Sequence, residues 1–127
     1  MPAFDHALAG LVTDLEQRGL LDSTIVLWMG EFGRTFLSEG SDGRDHSRWG
    51  FSIWVAGAGV RGGISYGRTD DFGYNIVENP VSFFDLNATL LHLMGVQHLK
   101  LTFKHLGVDM RLSGLEREAE IVKGVLA

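Results

Sequence analysis

The chain has no cysteine, which excludes a disulfide framework, a thiolate metal site and a cysteine nucleophile. Proline is scarce, with two in 127 residues, and no segment is repetitive or low in complexity. A basic excess is also lacking. Lys and Arg number 11 against 16 Asp and Glu, a formal net charge of −5, and the cations form no stripe, which argues against a nucleic-acid partner. No apolar run approaches the roughly 20 residues that a membrane-spanning helix needs. Nor does the first segment read as a signal peptide, because Pro2 to Arg18 has an amphipathic pattern rather than a basic patch before an apolar core.

What is present is ordinary globular composition, 45% hydrophobic and 21% charged, enough for a single domain over residues 1–127. Glycine is the outlier at 17 residues. Many of these lie between Gly30 and Gly73, where they suit tight turns and close backbone approach in a site region.

Periodicity gives a coarse order of elements. Phe4, Leu8, Leu11, Val12 and Leu15 recur at helical spacing after Pro2, and Gly19 is placed to end that helix. Thr24 to Met29 and Phe51 to Ala56 are continuous apolar runs, the pattern of strands buried on both faces. A short strand is predicted at Ile64 to Tyr66, and surface loop from Asp70 to Asn79. Ser82 with Asp85 three residues on forms a capping box that opens a helix running to Met94. Leu101 to Phe103 reads as a short strand and Leu115 to Leu126 as a closing helix. Together these predict an α/β fold, a mixed or parallel sheet covered by helices. There are too few helices to cover both faces, so an incomplete domain is expected, completed by a missing amino-terminal half or by self-association.

The residues best placed for chemistry lie between the two apolar runs. Ligands of open α/β sheets bind beyond strand carboxyl ends, where Gly30-Glu31-Phe32-Gly33-Arg34-Thr35 follows the first run. Glu31 is a hard oxygen ligand or general base, and Arg34 a planar donor for phosphate or sulfate oxygens. The bland alternative is a β-turn with a Glu31–Arg34 surface ion pair. Gly43-Arg44-Asp45-His46 precedes the second run. Asp45 and His46 can bind a metal together, or Asp45 can orient the imidazole, against the alternative of a solvated loop. Convergence of Glu31, Asp45 and His46 is expected, forming a site for a divalent metal such as zinc. His6, His92, His98 and His105 lack convergent partners in sequence, and Gly57 to Gly63 does not match dinucleotide-loop spacing.

Leu20 through Thr35, with Gly43 to His46, resembles a large bacterial family termed domain of unknown function 1501. The likeness continues through Ala56 to Gly63, Gly67 to Asp70, Pro80-Val81 and Asp85 to Leu90. That family is similar to the alkaline-phosphatase and sulfatase superfamily. The resemblance therefore implies an alkaline-phosphatase-like architecture of which this chain is the carboxyl-terminal portion, without the segment that carries the nucleophile. It implies metal-assisted hydrolysis of a phosphate or sulfate ester, with Glu31, Asp45 and His46 as metal residues and Arg34 as the catalytic anion clamp. Glu31 stands where the superfamily has an aspartate, and Phe32 where it has a histidine. Such a fragment is expected to be inactive alone. The alternative is a non-catalytic binding or surface module that keeps the fold without the reaction. For full-length members the resemblance implies an exported or periplasmic location. In the tail, Gly107 to Leu112 departs from the family pattern, and Glu116 stands about where a histidine is expected.

Overall fold

The computed structural model describes residues 2–38, 40–115 and 118–127. Its elements are α1 (Pro2–Gln17), β1 (Val26–Met29), β2 (Gly33–Arg34), β3 (His46–Ser47) and β4 (Ile53–Ala56), followed by β5 (Arg68–Thr69), β6 (Ile76–Glu78), α2 (Phe83–Leu93), β7 (Thr102–His105) and β8 (Val108–Arg111). Single 3-10 turns occupy Leu21–Ser23 and Lys123–Val125.

The strands form four two-stranded sheets, β1–β4, β2–β3, β5–β6 and β7–β8. All four pairings are antiparallel. The large mixed or parallel sheet expected from the apolar runs is therefore not assembled among the described residues. A strand buried on both faces needs a neighbour at each edge and a cover on each side, and here each strand has one partner. Leu27 and Trp28 of β1 and Trp54 of β4 consequently remain exposed, with Trp28 directly opposite Trp54 in the register. The Phe4 ring of α1 lies 5.6 Å from the Trp28 ring.

The start of β1 and the end of β4 are drawn together at Gly57. Its φ of +85° is left-handed, and a Cβ there would lie 2.1 Å from the Thr24 carbonyl oxygen. Any side chain would force the two segments apart.

The interior is mostly polar. Among the described residues, the buried apolar side chains are Ala88, Leu91 and Ala119, while Ser47, Asp85, Thr89, His98 and Ser113 are buried and polar. The centre of this set is the amino-terminal turn of α2. Ser82 donates from its backbone and its hydroxyl to Asp85 Oδ2, at 3.0 and 2.7 Å, and the Asp85 amide donates back to Ser82 Oγ. This is the predicted capping box, with Asp in place of Glu. Asp85 Oδ1 also accepts from the Glu120 amide at 3.0 Å, and Thr89 Oγ1 accepts from the Val122 amide at 2.9 Å. The tail is thus laced onto α2.

That lacing explains why the predicted closing helix is not formed over the described residues 118–126. The amides of Glu120 and Val122 bond to α2 side chains rather than to carbonyls one turn back, and only Lys123–Val125 turns helically. Glu116 lies outside the described residues. Two further corrections concern the middle of the chain. The strand predicted at Ile64 to Tyr66 is instead Arg68–Thr69, and the predicted loop Asp70 to Asn79 contains its partner, Ile76–Glu78. A buried histidine also gains a role, since His98 Nδ1 lies 3.0 Å from Ser113 Oγ.

Asp85→Ala should remove the cap and take away the acceptor of the part-buried Glu120 amide bond, lowering stability by about 2 kcal/mol. Chemical denaturation would show it as a fall in midpoint. A midpoint within experimental error of the parent would show that the tail is held by other means.

Candidate functional site

The site region is two small hairpins facing each other, with the Gly30–Gly50 segment forming the first. Gly33 pairs with Ser47 and Arg34 with His46 in the β2–β3 register. Residues directly opposite in an antiparallel pair project to the same side, which places Arg34 and His46 on one face. Phe32, two residues before Arg34, shares that face by strand alternation. Its ring stacks on His46 with centroids 5.2 Å apart and planes at 21°. The ladder is extended by the Thr35 amide, which donates to the Asp45 carbonyl at 2.9 Å, and by the Asp45 amide, which donates to the Leu37 carbonyl at 3.3 Å.

The opposite face of this hairpin is buried. Ser47 is 1% exposed, and a Cβ on Gly33 would lie 2.0 Å from the Gly50 carbonyl oxygen. Only glycine permits that approach. The Ser47 hydroxyl is buried without a hydrogen-bond partner among the described residues.

The second hairpin, β5–β6, holds the first in place. Phe36 lies 5.2 Å from the Phe72 ring and 6.3 Å from the Tyr74 ring, and Gly50 sits against Ile76 and Thr69. Its turn is organised by Asp70, which accepts from the Tyr74 amide at 2.8 Å and from the Asn75 amide and side chain at 3.0 and 2.9 Å. The Tyr74 amide foremost, then the Asn75 donors, hold the Asp70 carboxyl below its ordinary range despite some opposing desolvation. Arg68 and Glu78 pair at 2.6 Å across the ladder. Their hydrogen bond and charge attraction raise the guanidinium and lower the carboxyl.

Between the hairpins is an open cleft of about 320 Å³, lined by Phe32, Thr35, His46, Ser47, Arg48, Trp49 and Tyr74. The Arg48 guanidinium carbon stands 4.5 Å from the Trp49 ring centroid. No carboxylate lines the cleft among the described residues.

The predicted site residues are therefore only partly gathered. Arg34 and His46 are neighbours, and Asp45 is tied into the same hairpin by its backbone. Glu31 occupies an exposed bend ahead of β2. The alternative reading of a Glu31–Arg34 ion pair is not realised, since the ion pairs among the described residues are Arg18–Asp14 and Arg68–Glu78. Their donor types, two carboxylates and an imidazole, suit a divalent cation. Their placement does not, because no group of three His, Cys, Asp or Glu among the described residues stands where it would hold a metal ion.

The family model described as "Protein of unknown function (DUF1501)" matches residues 1–126. The chain belongs to this family. No curated protein and no solved structure matches it. In this DUF1501 chain no helix among the described residues is long and apolar enough to cross a membrane.

Sequence reasoning missed Arg48, Trp49 and Tyr74 as walls of the cleft. A signal for Tyr74 was available. Asp70 followed by Gly73 and Asn75, between Thr69 and Ile76-Val77, is turn chemistry between β-branched residues.

Gly33→Ala should separate β2 from the Gly50 backbone and dismantle the hairpin, at a cost of about 1–3 kcal/mol. His46 ring-proton shifts in NMR spectra would move toward values of an unstructured chain. Unchanged shifts would show that the Gly33–Gly50 approach does not hold Phe32 on His46.

Proposed function

We propose that this chain supplies the anion-recognising wall of a hydrolase-like domain for phosphate or sulfate esters, and not a complete reaction centre. The carrying observation is the cross-strand pairing of Arg34 with His46. It sets a planar fork of donors beside an imidazole on one face, an arrangement suited to the oxygens of a tetrahedral anion. Arg34 is the anion clamp in this reading. Glu31, Asp45 and His46 are the residues that would engage a divalent cation, zinc by preference. Since they form no three-ligand group, no step is routed through a metal on this chain alone. The surrounding architecture, in this proposal, is alkaline-phosphatase- and sulfatase-like.

A second reading, a non-catalytic binding or surface module, is favoured by Phe32, whose ring covers one face of His46. The two readings part on turnover in the complete protein.

The exposed side chains Phe4, Leu11, Leu27, Trp28 and Trp54 further support covering of the α1–β1–β4 surface, by more polypeptide or by a second copy. Purified alone, the chain should elute as oligomers by size-exclusion chromatography with light scattering. A sharp monomer with a cooperative thermal transition would contradict this.

Chromogenic phosphate and sulfate esters, assayed with added zinc, manganese, calcium or magnesium, should give no turnover with this chain alone. Inorganic phosphate should bind, and Arg34→Ala should weaken that binding by about fivefold or more. Turnover that survives purification and vanishes in His46→Ala would overturn the proposal, as would phosphate binding indifferent to Arg34.

A further inference from the structure

We propose that the β7–β8 hairpin of one copy docks, tip first, on the α1–β1–β4 surface of the next copy, in a head-to-tail contact. The inference rests on the covering of that surface argued above and is independent of anion binding.

The hairpin is built as a finger. His105 pairs with Val108, so Leu106 and Gly107 form a two-residue turn, with φ of +50° and +82°. Such turns favour Asn followed by Gly, because both positions are left-handed. A leucine there is strained, and its side chain is 91% exposed. Neither turn geometry nor burial within one chain accounts for it, whereas burial against a second surface does. Strand alternation gives the finger two faces. Phe103, Met110, His105 and Val108 share one, and Thr102, Arg111, Lys104 and Asp109 share the other. On the first face Phe103 and Val108 are half exposed. Within its own chain the hairpin packs chiefly on itself. Its root is held, since the Asn87 side chain donates to the Leu112 carbonyl at 3.0 Å and His98 Nδ1 lies 3.0 Å from Ser113 Oγ.

The receiving surface has an aromatic centre. Trp28 and Trp54 stand opposite each other on one face of the β1–β4 ladder, with the Phe4 ring against Trp28. All three are exposed, as is Leu11 of α1. Aromatic side chains at the centre of a patch, with charge at its rim, are the composition of a protein interface. Here the rim is acidic. Asp5 and Glu16 fall along one flank of α1 by helical periodicity, and both are exposed. Asp14 is held by Arg18 at 2.8 Å, but Asp5, Glu16 and Asp22 belong to no ion pair among the described residues.

Charge selects a second copy as the occupant. Residues 2–29 carry four acids, Asp5, Asp14, Glu16 and Asp22, against one cation, Arg18, a net charge of −3. Residues 99–112 carry three cations, Lys100, Lys104 and Arg111, against one acid, Asp109, a net charge of +2. An apolar surface with an acidic rim and an apolar finger with cationic flanks are complementary, and every copy carries both. The lysine stem is long enough to lie along apolar surface with its ammonium group at the rim. Because the two surfaces differ, the contact is heterologous, and each copy can receive another.

The test is light scattering of the purified chain over a range of protein concentration and salt. Association should weaken by about tenfold as salt rises from about 0.05 to 0.5 M. Leu106→Asn suits the turn, so its thermal midpoint should equal or exceed the parent's while association falls by about tenfold or more. Asp5→Lys combined with Glu16→Lys should weaken association from the other surface. Mixed in equal amounts, these two variants should form a dimer that grows no further, since one intact finger and one intact surface remain between them. A lower midpoint in Leu106→Asn would show that the leucine serves the hairpin itself, against the proposal. Association unchanged in Leu106→Asn would overturn the docking and leave the covering of the surface standing. Association lost in Leu106→Asn but indifferent to salt and to the α1 substitutions would overturn the receiving surface. A mixture that stays monomeric would overturn the head-to-tail contact. A parent chain that is monomeric throughout would overturn the covering and this inference together.

Discussion

The Asp85 carboxylate is the interaction on which the chain's shape most depends. One oxygen closes the cap of α2, and the other takes the amide of Glu120 from the tail. Thr89, one turn further along α2, repeats the arrangement with Val122 and returns its own proton to the Asp85 carbonyl. Held there, the tail reaches the turn after β4. Val60 bridges Leu126, the Arg61 amide bonds the Val125 carbonyl, and the Ala127 amide bonds the Gly59 carbonyl. A buried set with few apolar side chains contributes little through burial, since each large one is worth only about 1.5–3 kcal/mol. Directional bonds must then specify the arrangement, and they converge on one carboxylate.

The site depends on that frame at second hand. Phe51, at the approach to β4, lies 5.5 Å from the Phe83 ring at the start of α2, so the capped helix also steadies the segment that carries Ser47, Arg48 and Trp49. From there outward the chemistry is divided by strand alternation. Phe32, Arg34 and His46 share the open face, while Gly33 and Ser47 are turned to the packed one. A cationic rim beside aromatic walls follows from that division without any metal.

Local patterns carried much of the fold. α1, both apolar strands and the Ser82–Asp85 capping box were legible because each rests on neighbours in sequence: helical spacing, β-branched runs, and one side chain reaching one amide. Elements decided by distant partners were not. The tail from Leu115 has helical composition, yet its amides are claimed by Asp85 and Thr89. The β5–β6 hairpin was hidden because Asp70 organises its turn through the Tyr74 and Asn75 amides, a bond pattern easily taken for irregular loop. In the site, the sequence pointed to Arg34 and His46 separately, one as anion clamp and one as metal residue, and their cross-strand pairing comes from the β2–β3 ladder. Joining Glu31 to them required more than adjacency. It required Glu31 and His46 to share a face, and the bend before β2 sets Glu31 outside the ladder.

The β2–β3 register separates the geometry of the anion-facing pair from the length of the loop that connects it. Arg34 faces His46 through cross-strand bonds that end at Thr35–Asp45 and Asp45–Leu37. Those bonds hold both side chains from the strands themselves. Lengthening the connecting loop adds only closure entropy, roughly 0.6 kcal/mol for each doubling, whereas slipping β3 by one residue against β2 would turn His46 to the packed face. A longer connection would thus leave the same pair presented by the strands, so the size of the loop and the spacing of the anion-facing donors are independent variables of this hairpin.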